Sequence, residues 1–146
     1  MNILFVCTGN TCRSPMAEAI LHHKNIDGID VRSAGVFAMN GQDPSYNALQ
    51  VLKEQSIEHK KKARMLTEND IDWATYILTM TLGHKEAVIK QFPNASNKTF
   101  TLKEFVNGEH GDITDPYGGS LEIYRKTYHE LYSLINHLVQ KLYPND

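Results

Sequence analysis

The chain has 146 residues, of which 41% are hydrophobic and 22% charged, the proportions of one soluble globular domain spanning residues 1–146. Its net charge of −2 offers no electrostatic case for binding nucleic acid or a membrane surface. No apolar run approaches the ~18–20 residues of a membrane span. Ile3–Val6 is too short for the core of a signal peptide, so a cytoplasmic protein is expected.

The two cysteines, Cys7 and Cys12, lie in one short segment. That is no disulfide framework, and it fits a compartment that keeps thiols reduced. Cys-x4-Cys with no further cysteine is a poor metal site. The seven histidines (His22, His23, His59, His84, His110, His129 and His137) form no metal-binding pattern and read as surface or locally structural residues. Neither a metal nor a cofactor is expected.

Asn2–Val6 is a short apolar run rich in β-formers and reads as a buried strand. A polar loop follows, Cys7-Thr8-Gly9-Asn10-Thr11-Cys12-Arg13. Ser14-Pro15 reads as a helix start, with Ser14 at the cap and Pro15 at the first helical position. The first helix then runs to about Lys24, with Met16, Ala17, Ile20 and Leu21 as its apolar face. Val31–Ala34 is the second strand, ending at Gly35. Asn-Gly and Asp-Pro pairs mark residues 39–44 as a loop.

A helix after Pro44 offers Ala48, Leu49, Val51 and Leu52 to the core. Lys60-Lys61-Lys62-Ala63-Arg64 is a basic run, read as a solvated face rather than a docking site for a phosphorylated partner. Thr67 with Asp70 predicts a capped short helix through Trp73. Tyr76–Met80 is the third strand and Thr81–Phe92 the next helix. Lys98–Leu102 is the fourth strand. The last helix runs from Leu121 to about Leu142, with Ile123, Leu131, Leu134, Ile135 and Leu138 on its apolar face. Strands alternating with helices predict an α/β three-layer sandwich: a four-stranded parallel sheet in the order 2-1-3-4, flanked by helices.

Ligands of such sheets bind at the carboxyl ends of the strands, where Cys7 falls. A loop between a strand and a helix start directs backbone N–H groups into a concavity suited to an anion. A thiol at its mouth is expected to have a pKa below the usual ~8.5 and to react as the thiolate. Arg13 supplies a planar fork that matches two phosphoryl oxygens. Gly9 permits close backbone approach, and the Ser14 hydroxyl can donate to the Cys7 thiolate. Acid–base help on the leaving group must come from the same sheet end. Two loop aspartates, Asp112 and Asp115, qualify on position, and spacing alone does not separate them.

Cys7 through Pro15 resembles the signature loop of the low-molecular-weight protein tyrosine phosphatase family. Asp115-Pro116-Tyr117 resembles that family's general-acid loop, and Ser33-Ala34-Gly35 resembles its segment after the second strand. The resemblance implies Cys7 as nucleophile, Arg13 as phosphate clamp and Asp115 as general acid. It implies Asn10 and Ser33 as loop braces and Ser14 as partner of the thiolate. A phosphate-binding loop of Thr8, Gly9, Asn10, Thr11, Cys12, Arg13 and Ser14 follows, with a substrate slot at Phe37, Met39 and Tyr117. It also implies phosphorylated proteins as partners. A monomer is expected.

Within that family the loop has its own character. An aliphatic residue often stands between Asn and Cys, whereas this chain has Thr11. Cys-Thr-Gly-Asn-Thr-Cys-Arg-Ser with a later Asp-Pro-aromatic-Gly-Gly is similar to the bacterial protein arginine phosphatase branch. A Thr hydroxyl can meet the nitrogens of phosphoarginine, where an aliphatic side chain would leave them unpaired at ~1–3 kcal/mol each. Gly118 stands where many relatives have a second tyrosine and removes one aromatic wall. Phosphoarginine is therefore the expected substrate and phosphotyrosine the alternative. Lys61 stands where the family often has a bracing histidine, which weakens the case for Ser33. Cys12 reads equally as a resolving thiol and as a small packing residue. A non-catalytic phosphoresidue-binding module would not need nucleophile, clamp and acid together. Arsenate reduction on this scaffold usually needs cysteines outside the loop.

Overall fold

The alternation of side chains along the first strand places two cores on either side of one sheet. In the computed structural model, which describes residues 1–144, β1 (Asn2–Cys7) has Ile3, Leu4, Phe5 and Val6 fully buried. Successive side chains of a strand point to opposite faces. Ile3, Phe5 and Cys7 accordingly pack into one core and Leu4 and Val6 into the other. Removing such a ring as Phe5 is worth ~3–5 kcal/mol, so β1 is an anchored base for the loop it feeds.

The other strands are β2 (Asp30–Gly35), β3 (Tyr76–Thr79) and β4 (Thr99–Thr101). All pairings are parallel, in the order β2-β1-β3-β4, as the crossover rule predicts. Helices α1 (Arg13–His23) and α2 (Tyr46–Glu54) share the Phe5 face with α5 (Leu102–Asn107) and α6 (Leu121–Leu142). The opposite face is covered by α3 (Glu68–Trp73) and α4 (Leu82–Gln91). No helix among the described residues is long and apolar enough to cross a membrane.

Several local expectations need correction. Ser14 is not the cap of α1. Cys12 holds that position without a side-chain bond, and Ser14 lies inside the helix with its hydroxyl turned back to the loop. In α6, Ile123 is 43% exposed; Tyr124, Thr127 and Tyr128 fill the buried stripe above Leu131 instead. β4 is only three residues long because Thr101 caps α5, a helix the sequence reading passed over. The Thr101–Glu104 capping box that starts it was legible at its spacing. A 3-10 turn, Pro93–Lys98, precedes β4.

The basic run is the solvated face expected, and its charges are paired. Lys60 lies near Glu58, Lys61 pairs with Glu18, Lys62 with Asp43 and Arg64 with Asp70, while Ala63 is buried between them. Ala63 also exchanges backbone bonds with residues 41 and 42, which pins the run beside the loop after β2.

Candidate active site

The loop from Cys7 to Ser14 is clamped by backbone bonds on three sides. Val36 N–H donates to the Cys7 carbonyl (3.0 Å) and Phe37 N–H to that of Thr8 (2.9 Å). Ser45 N–H donates to the Thr11 carbonyl (2.8 Å). Gly35 is required by this packing: a Cβ there would stand 2.4 Å from the Thr8 carbonyl oxygen and 2.9 Å from Asn10 N. With its carbonyls committed outward, the loop keeps its N–H groups inward. Among the described residues, none of those at 9–14 reaches a backbone carbonyl. That is an anion cradle at a helix N-terminus.

Asn10 turns the corner at φ 56°, a left-handed conformation that Asn tolerates better than most residues. Its side chain fixes the direction of every neighbouring bond. Asn10 Oδ1 accepts from Arg64 N–H (2.9 Å), so the amide nitrogen carries both protons to Ser14 Oγ (2.8 Å) and Ser33 Oγ (2.9 Å). Ser33 then donates to Glu18 Oε1 (2.5 Å), and Lys61 Nζ lies 2.5 Å from Glu18 Oε2. Lys61 thus takes part in the bracing through a carboxylate, and Ser33 sits within the brace after all.

Ser14 Oγ, having accepted from Asn10, has one proton left, and Cys7 Sγ lies 2.8 Å away. Facing a Cys7 thiolate the hydroxyl is the donor, an arrangement that favours thiolate over thiol. Burial works against it and pushes the Cys7 thiol above its usual pKa. Ser14, the Arg13 charge and the amides of Ser14 and Asn10 pull the other way. This direction is opposite to the expected lowering and follows from burial, Cys7 being only 3% exposed.

Arg13 is 5% exposed, and its Nη1 donates to the Ile113 carbonyl (2.9 Å). Its Nη2 lies 3.5 Å from Asp115 Oδ2. The fork thereby joins the loop to the Asp115 segment, which Ile113 N–H also ties to the Met80 carbonyl (2.9 Å). Asp112 is placed otherwise: its Oδ1 accepts from Leu82 N–H (2.8 Å) at the start of α4. The two aspartates that spacing left equivalent therefore occupy different positions, and Asp115 is the one beside Arg13.

A cleft of about 280 Å³ joins these groups. Cys7, Thr8, Gly9, Thr11, Cys12 and Arg13 line it from the loop, and Asp115 and Tyr117 from the other side. Gln42 completes the lining, a residue the sequence reading passed over because only its place in a turn marked it. Phe37 and Met39 lie outside the lining and are 73% and 72% exposed. Gly118 has φ 78° with open space around it, so the turn after Tyr117 has no second aromatic wall.

His84 is one of the locally structural histidines, and the structure it supports is the loop itself. It is 7% exposed, with Nε2 2.7 Å from Thr8 Oγ1 at the edge of the cleft. Its place just beyond the third strand was the available signal, since that sheet end also carries Cys7. Cys12 is buried; its Sγ lies 3.5 Å from Ser45 Oγ and 3.3 Å from Tyr124 Oη. Among the described residues, no cluster of His, Cys, Asp and Glu is arranged to hold a metal ion.

A cysteine beneath an anion cradle, with an arginine fork and a carboxylate across the cleft, is the arrangement of a cysteine-dependent phosphatase. The family model described as low molecular weight phosphotyrosine protein phosphatase matches residues 2–145. The solved structure of the YwlE arginine phosphatase from Geobacillus stearothermophilus is 54% identical. It aligns over 97% of this chain and 92% of its own, with a TM-score of 0.95. A second structure is a YwlE arginine phosphatase with cysteine mutated to serine and that active-site serine phosphorylated. It is 42% identical over 99% of this chain and 97% of its own, with a TM-score of 0.95. The low molecular weight protein-tyrosine-phosphatase PtpB of Staphylococcus aureus is 44% identical over 92% of this chain and 94% of its own. This chain belongs to the low molecular weight phosphotyrosine protein phosphatase family, and it is a phosphatase.

Proposed function

We propose that this protein removes phosphate from phosphoarginine residues of proteins through a phosphoryl-cysteine intermediate on Cys7. The observation that carries the reading is Thr11 in the lining of the cleft that Asp115 also lines. The phosphoryl group enters with its oxygens on the loop amides and Arg13, which supplies positioning and charge stabilisation. The Cys7 proton leaves as the phosphoryl dianion arrives, that dianion being the base nearest to it. Sulphur then attacks phosphorus, the P–N bond breaks, and Asp115 gives its proton to the leaving guanidine nitrogen. In the second step Asp115 takes a proton from water, the water oxygen bonds to phosphorus, and the S–P bond breaks to release phosphate.

Thr11 Oγ1 offers the guanidine nitrogens a polar partner, and Asp115, ionised once it has given its proton, offers the departing guanidinium a counter-charge. Tyr117 walls the slot; Phe37 and Met39, exposed beyond it, serve the flanking polypeptide. In this reading the protein acts as one cytoplasmic, monomeric domain over residues 1–146, with Asn145 and Asp146 outside the described residues. The site is also redox-sensitive. Peroxide converts the Cys7 thiolate to sulfenic acid, and the Cys12 thiol displaces water to leave a Cys7–Cys12 disulfide. Sulfinic acid on Cys7 with Cys12 still free, after mild peroxide, would contradict that step.

Phosphotyrosine is the second reading, favoured by the Staphylococcus aureus relative. The two part on kcat/KM for matched phosphoarginine and phosphotyrosine peptides. A preference for phosphoarginine that Thr11→Ile inverts is the expected result. Preference for phosphotyrosine in both proteins assigns the second reading.

A further inference from the structure

His84 is a buried titratable side chain at the cleft that the steps above leave without a task. Its ring lies behind Thr8, which is exposed and lines the cleft, with Nε2 2.7 Å from Thr8 Oγ1. The other ring nitrogen, Nδ1, is buried and has no hydrogen-bond partner among the described residues. Burial and the Arg13 charge push the ring's pKa down to about 4, against the smaller opposing influence of Asp112 and Asp115. At neutral pH the ring is therefore uncharged, and which nitrogen holds the proton is a definite question.

Each tautomer has a different consequence for Thr8. If Nδ1 holds the proton, a buried N–H donor goes unpaired, and Nε2 must accept the Thr8 hydroxyl proton. Thr8 would then turn oxygen lone pairs toward an incoming phosphoryl group, which repels them. If Nε2 holds the proton, it donates to Thr8 Oγ1, and the hydroxyl proton is free to point into the cleft. Nδ1 then buries only a lone pair. Both the orphaned nitrogen and the anion favour the second arrangement.

We infer that His84 is a positioning residue for phosphoryl binding: its Nε2–H fixes Thr8 Oγ1 so that the Thr8 hydroxyl donates to a phosphoryl oxygen in the cleft. The inference rests on the phosphatase reading and adds to the loop amides a side-chain donor set from α4. It explains a histidine at this place better than a packing role does, since an apolar ring would leave no polar nitrogen unpaired.

The direct test is the ¹⁵N spectrum of the His84 ring in the intact protein, with and without saturating inorganic phosphate. The expected result is the Nε2–H tautomer in the phosphate complex, and Nδ1–H there would overturn the inference. A mutant cycle tests the consequence through inhibition by inorganic phosphate. Thr8→Val and His84→Leu should each weaken inhibition at least ~10-fold, the loss of one hydrogen bond to a charged acceptor. The double variant should lose no more than either alone. His84→Gln, which places an N–H near the Nε2 position, should recover part of the loss. Additive losses, or full inhibition of Thr8→Val, would contradict the coupling. The ring spectrum stands whether or not a variant folds. Hydrolysis of an aryl phosphate by the unmodified protein tests the phosphatase reading separately.

Discussion

Cys7 and Asp115 face one another across a single cleft, yet their surroundings have little in common. Cys7 is 3% exposed and sits over a chain of bonds in which Asn10 donates to Ser14, beside the sulphur, and to Ser33, which donates to Glu18. The Asp115 side chain is 53% exposed, and Tyr117 beside it is 76% exposed. Their segment is held at its start by Asp112 to Leu82, Ile113 to Met80 and Arg13 to Ile113, and further on by Arg13 to Asp115, Asp115 Oδ1 to Tyr117 N–H and Asn47 to Gly119. The difference follows from what each side must do. An anion cradle stabilises charge only if its donors are fixed before the charge arrives. The opposite wall must admit a side chain that is still attached to a polypeptide, so it is built open.

Disturbing each side separately should give different kinds of loss. Asp115→Asn keeps the shape and removes the proton, and should lower turnover by about 10²–10⁴ while leaving the folding midpoint unchanged. Steady-state kinetics on an aryl phosphate and on a phosphoarginine peptide measure it. Asp112→Asn, which alters only the contact with the start of α4, should leave turnover within a few-fold; a larger loss there than at Asp115 would reverse the two roles.

On the buried side, Asn10→Ala removes three bonds at once and leaves Ser14, Ser33 and the Arg64 amide short of a partner. Each such group costs ~1–3 kcal/mol, so a substantially lower midpoint in urea is expected together with lost activity. Ser14→Ala is the finest probe. It removes an influence that holds the Cys7 pKa down, so the pH at which iodoacetamide alkylates Cys7 at half its maximal rate should move upward. An unchanged or lower half-point would mean that Ser14 does not donate to the sulphur.

The same contrast governs how much could be read before the structure. The sheet order and the placing of Cys7 and Arg13 in one loop were legible because they rest on local patterns, a buried strand and a short loop, whereas Asp115 was separated from Asp112 only by the family resemblance. Ser14 was placed at the helix cap because Ser-Pro usually marks one, and only the bonds from Asn10 and to Cys7 show why it lies further in. Gln42 lines the cleft from the loop after β2, and His84 reaches Thr8 behind it from α4, and such convergence has no spacing in sequence. Phe37 and Met39 were apolar and near the loop, but the backbone bonds that hold residues 36 and 37 against it leave both side chains in solvent. Lys61 weakened the case for Ser33 only so long as Glu18, 43 residues away in the chain, was not in view.

In the proposed reaction Cys7 carries the phosphoryl group during turnover of phosphoarginine. Rapid quenching of the protein with a phosphoarginine peptide, followed by mass spectrometry of the Cys7-containing fragment, tests it most directly. A phosphate adduct on Cys7 that appears and decays within the time of turnover, and is absent in Cys7→Ala, is the expected result. Turnover of that peptide with no adduct on Cys7, or an adduct formed only from a phosphotyrosine peptide, would contradict it.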